Sequence, residues 1–200
     1  QLGEEERVTL WNTVPAFMQL LVSHSEAVRT PLPPSLRLVF MSGDWVSPSL
    51  PGRIRDVSAG ESVRIVAMGG ATEAAIWSNE FEVGGEVDGS WKSVPYGRPL
   101  RNQSMLVLNE QLEHCEVWVS GVLHIGGAGV ALGYHRDEER TSAQFVVHPV
   151  TGERLFRTGD VGRLRPDGNL EILGREDSQV KVNGFRIELG EVEAVLTRHE

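Results

Sequence analysis

Residues 63–79 read VRIVAMGGATEAAIWSN, an apolar run that breaks into a Gly-Gly-Ala-Thr-Glu turn. Val63-Arg64-Ile65-Val66-Ala67 carries one charge in five residues, the composition of a strand buried on both faces. Such strands belong to parallel sheets covered by helices, whose ligands gather at the carboxyl ends of the strands. The turn at 69–73 stands at such an end. Glycines allow close approach, a threonine hydroxyl can hydrogen-bond a phosphate oxygen, and a carboxylate can ligate Mg²⁺. Thr72 can equally cap a following helix, its hydroxyl accepting from the first-turn amides. No lysine stands in the turn, which rules out an ordinary P-loop.

Upstream, Leu36 to Met41 reads as a second strand, followed by a Ser42-Gly43-Asp44 turn, and Val8-Thr9-Leu10 as a short strand before it. Between them, Val14, Phe17, Met18, Leu21 and Val22 recur at the spacing of one helical face. Thr13 is placed to cap that helix and Pro15 lies in its first turn, where the missing N–H costs little. Ser49-Leu50-Pro51 opens a shorter helix. Strand and helix alternate, so residues 1–95 are expected to form a mostly parallel sheet with packed helices. Asn12, Ser42 and Gly69-Gly70 fall at its carboxyl edge.

After residue 95 the texture changes to short, closely spaced strands. Met105–Leu108, Glu116–Val119, Val122–Ile125, Arg154–Arg157, Gly162–Arg165 and Leu170–Leu173 predict an antiparallel, barrel-like sheet over 96–176. Asp137 to Phe145 interrupts it as a helix, and Pro166-Asp167-Gly168 is a tight turn. Val180–Val182 and Phe185–Ile187 flank Asn183-Gly184, a strong hairpin signal. Residues 177–200 read as the start of a small α+β subdomain, with the chain stopping inside a helical pattern. Gln1 is no initiator methionine, so the chain reads as an excerpt.

Composition narrows the function. A net charge of −9 argues against a nucleic-acid binder, which needs a basic face. No apolar run approaches the roughly 18 residues of a membrane span. One cysteine, Cys115, excludes an internal disulfide and fits a reducing, cytosolic setting. The six histidines show no metal-ligand spacing.

Two further clusters carry candidate chemistry. In Arg157-Thr158-Gly159-Asp160, an aspartate at a Gly-freed strand end can accept two hydrogen bonds from a ribose diol, or merely sit in a turn. In Gly174-Arg175-Glu176-Asp177, the planar fork of Arg175 suits a phosphate, or a surface ion pair. Each signal is weak singly.

Taken in order, these clusters together with Gly126–Tyr134 (GGAGVALGY) and Gln179–Glu193 (QVKVNGFRIELGEVE) resemble the adenylate-forming enzymes. The likeness is greatest to amino-acid adenylation domains of nonribosomal peptide synthetases, and it covers essentially the whole chain. It implies ATP and Mg²⁺ as cofactors and formation of an aminoacyl-adenylate with release of pyrophosphate. The acyl group would then pass to the phosphopantetheine thiol of a peptidyl carrier protein among neighbouring synthetase domains. By the same resemblance, Gly69, Gly70 and Ala71 shape the nucleotide turn, Thr72 contacts phosphate and Glu73 holds Mg²⁺. Asp160 binds ribose, Arg175 lies near ribose and α-phosphate, Asp177 is the hinge of a mobile subdomain, and Gly184 belongs to a loop used in thioester formation.

Departures from the family pattern matter. An aromatic that stacks on adenine usually occupies the position of Gly69, and a proline that of Ala71. Stacking must therefore come from elsewhere or be weaker. The family's phosphate loop and amino-group aspartate precede residue 1 and its adenylation lysine follows residue 200, so the excerpt alone is expected to be inactive.

The resemblance also implies six side-chain pocket residues: Asn12, Phe40, Ser42, Met68, Ile76 and Trp77. Bulky Phe40, Met68 and Trp77 leave room for a small substrate, and Asn12 and Ser42 suit a thiol or hydroxyl. The set resembles cysteine-activating domains of siderophore-type synthetases, with serine the competitor. Two rivals stand beside this reading: an acyl- or aryl-acid ligase handing its product to coenzyme A, and a non-catalytic adenylation-like docking module.

Overall fold

The computed structural model describes residues 2–59, 63–85, 87–177, 179–182 and 185–197. The chain forms two compact units, one of residues 1–68 and 81–95, the other of residues 69–80 and 96–200. The loop 69–80 thus belongs with the β-rich part of the sequence.

In the first unit a short helix α1 (Leu2–Glu5) precedes β1 (Leu10–Thr13), α2 (Pro15–Val28), β2 (Leu38–Met41), α3 (Leu50–Asp56) and β3 (Arg64–Gly69, its last residue in the second unit), and the chain returns to it at Phe81, midway along β4 (Asn79–Glu82). β1, β2 and β3 pair in parallel, Asn12 opposite Phe40 and Phe40 opposite Val66. Just past β4, the Val83 N–H donates to Ile65 O at 2.8 Å. Met18 and Val22 of α2 and Leu50 and Ile54 of α3 join Val39, Met41 and Ile65 in one buried core. Seven such side chains removed from water supply roughly 1.5–3 kcal/mol each, which is why apolar spacing alone predicts this unit.

Two details differ from the sequence expectation. β1 begins at Leu10 because the Val8 N–H turns back to Gly3 O. Thr13 does not cap α2: it completes β1 opposite Met41, and Val14 takes the cap position without a side-chain bond. Pro15 does open the helix.

In the second unit, Asn79 and Glu80 pair antiparallel with β5 (Arg98–Pro99). The main sheet holds β6 (Gln103–Leu108), β7 (Ser120–Gly127), β8 (Phe145–Val147), β9 (Arg154–Leu164) and β10 (Leu170–Arg175). Its order is β10-β9-β7-β6, with β8 also on β9, and every pairing is antiparallel. Met105, Leu123, Ile125, Phe145, Phe156 and Leu170 form its core, joined by Ala74. α4 (Glu138–Gln144) is capped by Asp137, which accepts from the Arg140 N–H at 3.0 Å. β11 (Gln179–Val182) and β12 (Phe185–Glu188) form the expected hairpin, and α5 (Leu189–Leu196) follows. Its tip, Asn183 and Gly184, lies outside the described residues.

The segments read as strands at Arg154–Arg157 and Gly162–Arg165 are one strand, β9. Thr158-Gly159-Asp160 oppose the single Leu123, a bulge rather than a break. Gly159 takes φ +74° there, and the Thr158 hydroxyl donates to Leu123 O at 2.8 Å. Glu116–Val119 is a turn, not a strand, with Trp118 at φ +70°. Its indole lies under the guanidinium of Arg163, 4.7 Å from the ring centre, so the apolar composition there serves a surface stack.

Candidate nucleotide site

The loop after β3 folds tightly on itself. Ser78 N–H donates to Gly69 O at 2.7 Å, and Ile76 N–H to Ala71 O at 2.9 Å. Gly70 has φ +144°, and a Cβ there would lie 2.5 Å from Ile76 O and 2.7 Å from Ser78 N. Only glycine fits that position. Thr72–Ala74 form a single 3₁₀ turn whose cap residue is Ala71. Thr72 is therefore not the N-cap; it is exposed, and its hydroxyl has no hydrogen bond among the described residues. Ala75 and Ile76 follow at φ +61° and +70°. A left-handed β-branched residue is costly and persists only where its surroundings impose it.

Glu73 is half-buried and held at both ends. Its carbonyl accepts from the Ala131 N–H at 2.8 Å, and its Oε1 accepts from the Tyr134 hydroxyl at 2.7 Å. Tyr134 is itself fixed: its N–H donates to Thr141 Oγ1 at 2.9 Å, its ring meets Phe145 edge-on, and Arg140 lies 4.3 Å over it. Gly133 (φ +149°) allows this approach, because a Cβ would strike Thr141 Cγ2 at 2.5 Å. The GGAGVALGY segment thus delivers a carboxylate-orienting phenol. One Glu73 oxygen is positioned while Oε2 carries no hydrogen bond among the described residues.

No cluster of three ligating side chains exists among the described residues. Mg²⁺ does not require one, since it commonly binds one or two carboxylates with waters and substrate phosphates. An oriented hard-oxygen donor next to an unengaged hydroxyl fits that ion.

Cross-strand register brings the other group together, with Asp160 opposite Arg175 between β9 and β10. Arg175 Nη1 donates to Asp160 Oδ1 at 2.8 Å and to Thr158 O at 3.2 Å. Its Nε and Nη2 fork onto the two oxygens of Asp177 at 2.7 and 2.6 Å. The Asp177 bonds first, and Asp160 with them, raise the Arg175 pKa well above its ordinary value. Asp160 is buried and its N–H donates to Thr158 Oγ1 at 3.0 Å. It lies mid-strand at the bulge rather than at a strand end as the sequence suggested.

Tyr96, which stands outside the motifs of the sequence, lies against the loop. A Cβ on Gly69 would lie 1.9 Å from Tyr96 Cε2 and 2.4 Å from Cζ. Burial raises the phenol's pKa, the Asp160 charge raises it further, and the Gly70 backbone contact opposes them. The only sequence signal was an aromatic just before Gly97-Arg98-Pro99.

Of the expected pocket residues, four belong to the first unit. Asn12, Phe40 and Met68 share one sheet face, since Phe40 pairs with both Asn12 and Val66 and Met68 follows Val66 by two. Ser42 continues β2, its N–H donating to Thr13 O at 3.2 Å. Ile76 and Trp77 belong to the second unit, Ile76 exposed at 63% and the Trp77 carbonyl accepting from Gln103 Nε2 at 2.8 Å.

The described residues thus hold a buried aspartate beside a guanidinium, an oriented glutamate and a glycine-opened strand end. Residues 1–135 match the AMP-binding enzymes, and the chain belongs to that family. It is 47% identical over 199 residues to the pyochelin synthetase PchF of Pseudomonas aeruginosa, covering 100% of this chain and 11% of that protein. The nonribosomal peptide synthetase FmoA3, in its alpha-methyl-L-serine-AMP bound form, matches with TM-score 0.83 and 44% identity over 96% of this chain and 21% of that one. PA1221, a nonribosomal peptide synthetase protein containing adenylation and PCP domains, matches in its holo form with TM-score 0.87 and 28% identity over 100% and 34%. The chain spans 18% or less of the length of the first curated relatives it matches. No helix among the described residues is long and apolar enough to cross a membrane.

Proposed function

We propose that this chain is part of an adenylation domain that activates an amino acid with ATP and loads it onto a carrier protein. The observation that carries this reading is the pairing of an oriented Glu73 carboxylate with the exposed Thr72 hydroxyl at a glycine-opened strand end. In the first half-reaction a substrate carboxylate oxygen attacks the α-phosphorus of ATP, forming the acyl–phosphate bond as the bond to pyrophosphate breaks. In the second, the phosphopantetheine thiolate attacks the acyl carbon and AMP leaves.

Each residue has a part. Thr72 donates to a phosphate oxygen. Glu73, steered by Tyr134, would hold Mg²⁺, which would supply positive charge against that of the departing pyrophosphate. Asp160 accepts from the ribose hydroxyls. Arg175 holds Asp160 in place and, by the resemblance, would serve the α-phosphate. Asp177 is the hinge; its two bonds to Arg175 tie the pivot to the ribose-binding strand. Gly184 belongs to the loop of the thioester-forming state.

The amino acid is L-cysteine. Asn12 and Ser42 at the sheet end suit a thiol, and Phe40 and Met68 on the Asn12 face keep the substrate small. Ile76 and Trp77, which belong to the second unit, are assigned to the substrate by the resemblance alone. The carrier partner is supported by the adenylation–PCP composition of PA1221, and a cytoplasmic setting by the single cysteine. Amino-acid-dependent exchange of pyrophosphate into ATP by the full-length protein tests the reading.

A further inference from the structure

Gly69 is glycine for a steric reason. Its φ lies outside the left-handed region, so backbone freedom does not require glycine there. What requires it is Tyr96, whose Cε2, Cζ and hydroxyl oxygen would lie 1.9, 2.4 and 2.6 Å from any Cβ at that position. Ring atoms at such distances occupy the volume into which a side chain at 69 would project. The substitution at 69 and the aromatic at 96 are thus two halves of one arrangement, 27 residues apart in the chain.

The ring is partly buried against the second unit's core and its phenol end is enclosed. Two neighbours define its setting, the Gly69 and Gly70 backbones, and the charge of Asp160 acts on its phenol. A nucleoside seated with its ribose diol on Asp160 carries its base one glycosidic bond away. A flat aromatic ring lying on the Gly69 turn, within reach of the Asp160 charge, is placed to meet that base, and π-faces stack on bases without regard to their hydrogen-bonding edges.

We infer that Tyr96 supplies the base-stacking ring of the nucleotide site, projecting into the space left by Gly69 and replacing the side chain that position lacks. The inference rests on the adenylation reading for the identity of the nucleotide, but the ring's role is in binding rather than in chemistry.

The test measures ATP affinity by calorimetry on the full-length protein, with amino-acid-dependent exchange recorded in parallel. Tyr96→Leu and the longer, unbranched Tyr96→Met are expected to weaken ATP binding about tenfold or more, the scale of one base–aromatic stack. Tyr96→Phe keeps the ring and stays within about twofold. Gly69→Phe combined with Tyr96→Leu moves the ring to the other position and is expected to recover most of the loss, a rescue that a merely structural role for Tyr96 would not give. The KM for the amino acid stays unchanged throughout. ATP affinity within about twofold of wild type in folded Tyr96→Leu or Tyr96→Met overturns the inference. So does unfolding of both variants without rescue by the swap, which assigns the ring to packing. ATP binding that follows this pattern without exchange for any amino acid sinks the adenylation reading and leaves Tyr96 standing. A folded wild type that binds no ATP sinks both.

Discussion

Arg175 joins two carboxylates, Asp160 across the sheet at 2.8 Å and Asp177 two residues on, so that a single guanidinium ties the buried bulge of β9 to the end of β10. The Asp160–Arg175 contact is mostly enclosed, with 12% and 17% of the two side chains exposed. Breaking such a pair leaves a carboxylate with its partner gone, and that penalty exceeds the net worth of the pair. Arg175→Met is therefore expected to destabilise the second unit by roughly 3 kcal/mol, and Asp160→Asn to recover part of it in the double variant. A urea-unfolding double-mutant cycle should give a coupling of about 1–2 kcal/mol. A coupling near zero would show that the two residues act independently.

The phenol of Tyr134 fixes one oxygen of Glu73, so under the proposed metal assignment it would act on Mg²⁺ through that carboxylate. Removing the hydroxyl in Tyr134→Phe loosens the carboxylate without deleting it. The Mg²⁺ concentration that half-saturates exchange by the full-length protein is expected to rise about threefold to tenfold, with unfolding little changed. Glu73→Gln, which removes the charge itself, is expected to lose about 100-fold or more in turnover. An unchanged Mg²⁺ dependence in both variants contradicts the metal assignment.

His124 gives the fold a pH dependence. It is 1% exposed, Nδ1 bonds Val122 O at 3.1 Å, and desolvation, aided by Arg157 and His148, lowers its pKa. Its folded pKa lies below its unfolded value of about 6.5, so protonation favours the unfolded chain. The stability it contributes is complete above about pH 6.5 and is lost as pH falls towards its folded pKa, at up to about 1.4 kcal/mol per pH unit. Thermal unfolding between pH 8 and pH 5.5 should show a steeper loss in the wild-type chain than in His124→Gln. Parallel slopes would place the pH dependence elsewhere.

Where periodicity and burial coincide, the sequence was readable. The Val63–Ala67 run, the Met18/Val22 face and the helix expected over Asp137 to Phe145 are local signals, and the structure realises each, the last as Glu138–Gln144. Misreadings arose where a local signal had a second use. Thr13 has cap chemistry but is held by strand pairing, Gly159-Asp160 looks like a break but is a bulge, and Val117-Trp118-Val119 is apolar for a surface stack. The left-handed Ala75 and Ile76 carry no glycine to announce them. The Glu73–Tyr134 and Gly69–Tyr96 relationships span 61 and 27 residues and involve no periodic pattern, so no reading of neighbouring residues reaches them.

If the intact domain makes an aminoacyl-adenylate as proposed, pyrophosphate exchange reads that step directly. With the full-length protein, ATP, Mg²⁺ and labelled pyrophosphate, L-cysteine is expected to support exchange. L-Serine is expected to follow at about a tenth or less of its kcat/KM, the scale on which a pocket separates near-isosteres. Comparable exchange with serine would move the specificity assignment away from cysteine. No exchange with any amino acid, from a folded protein that binds ATP, would contradict the account.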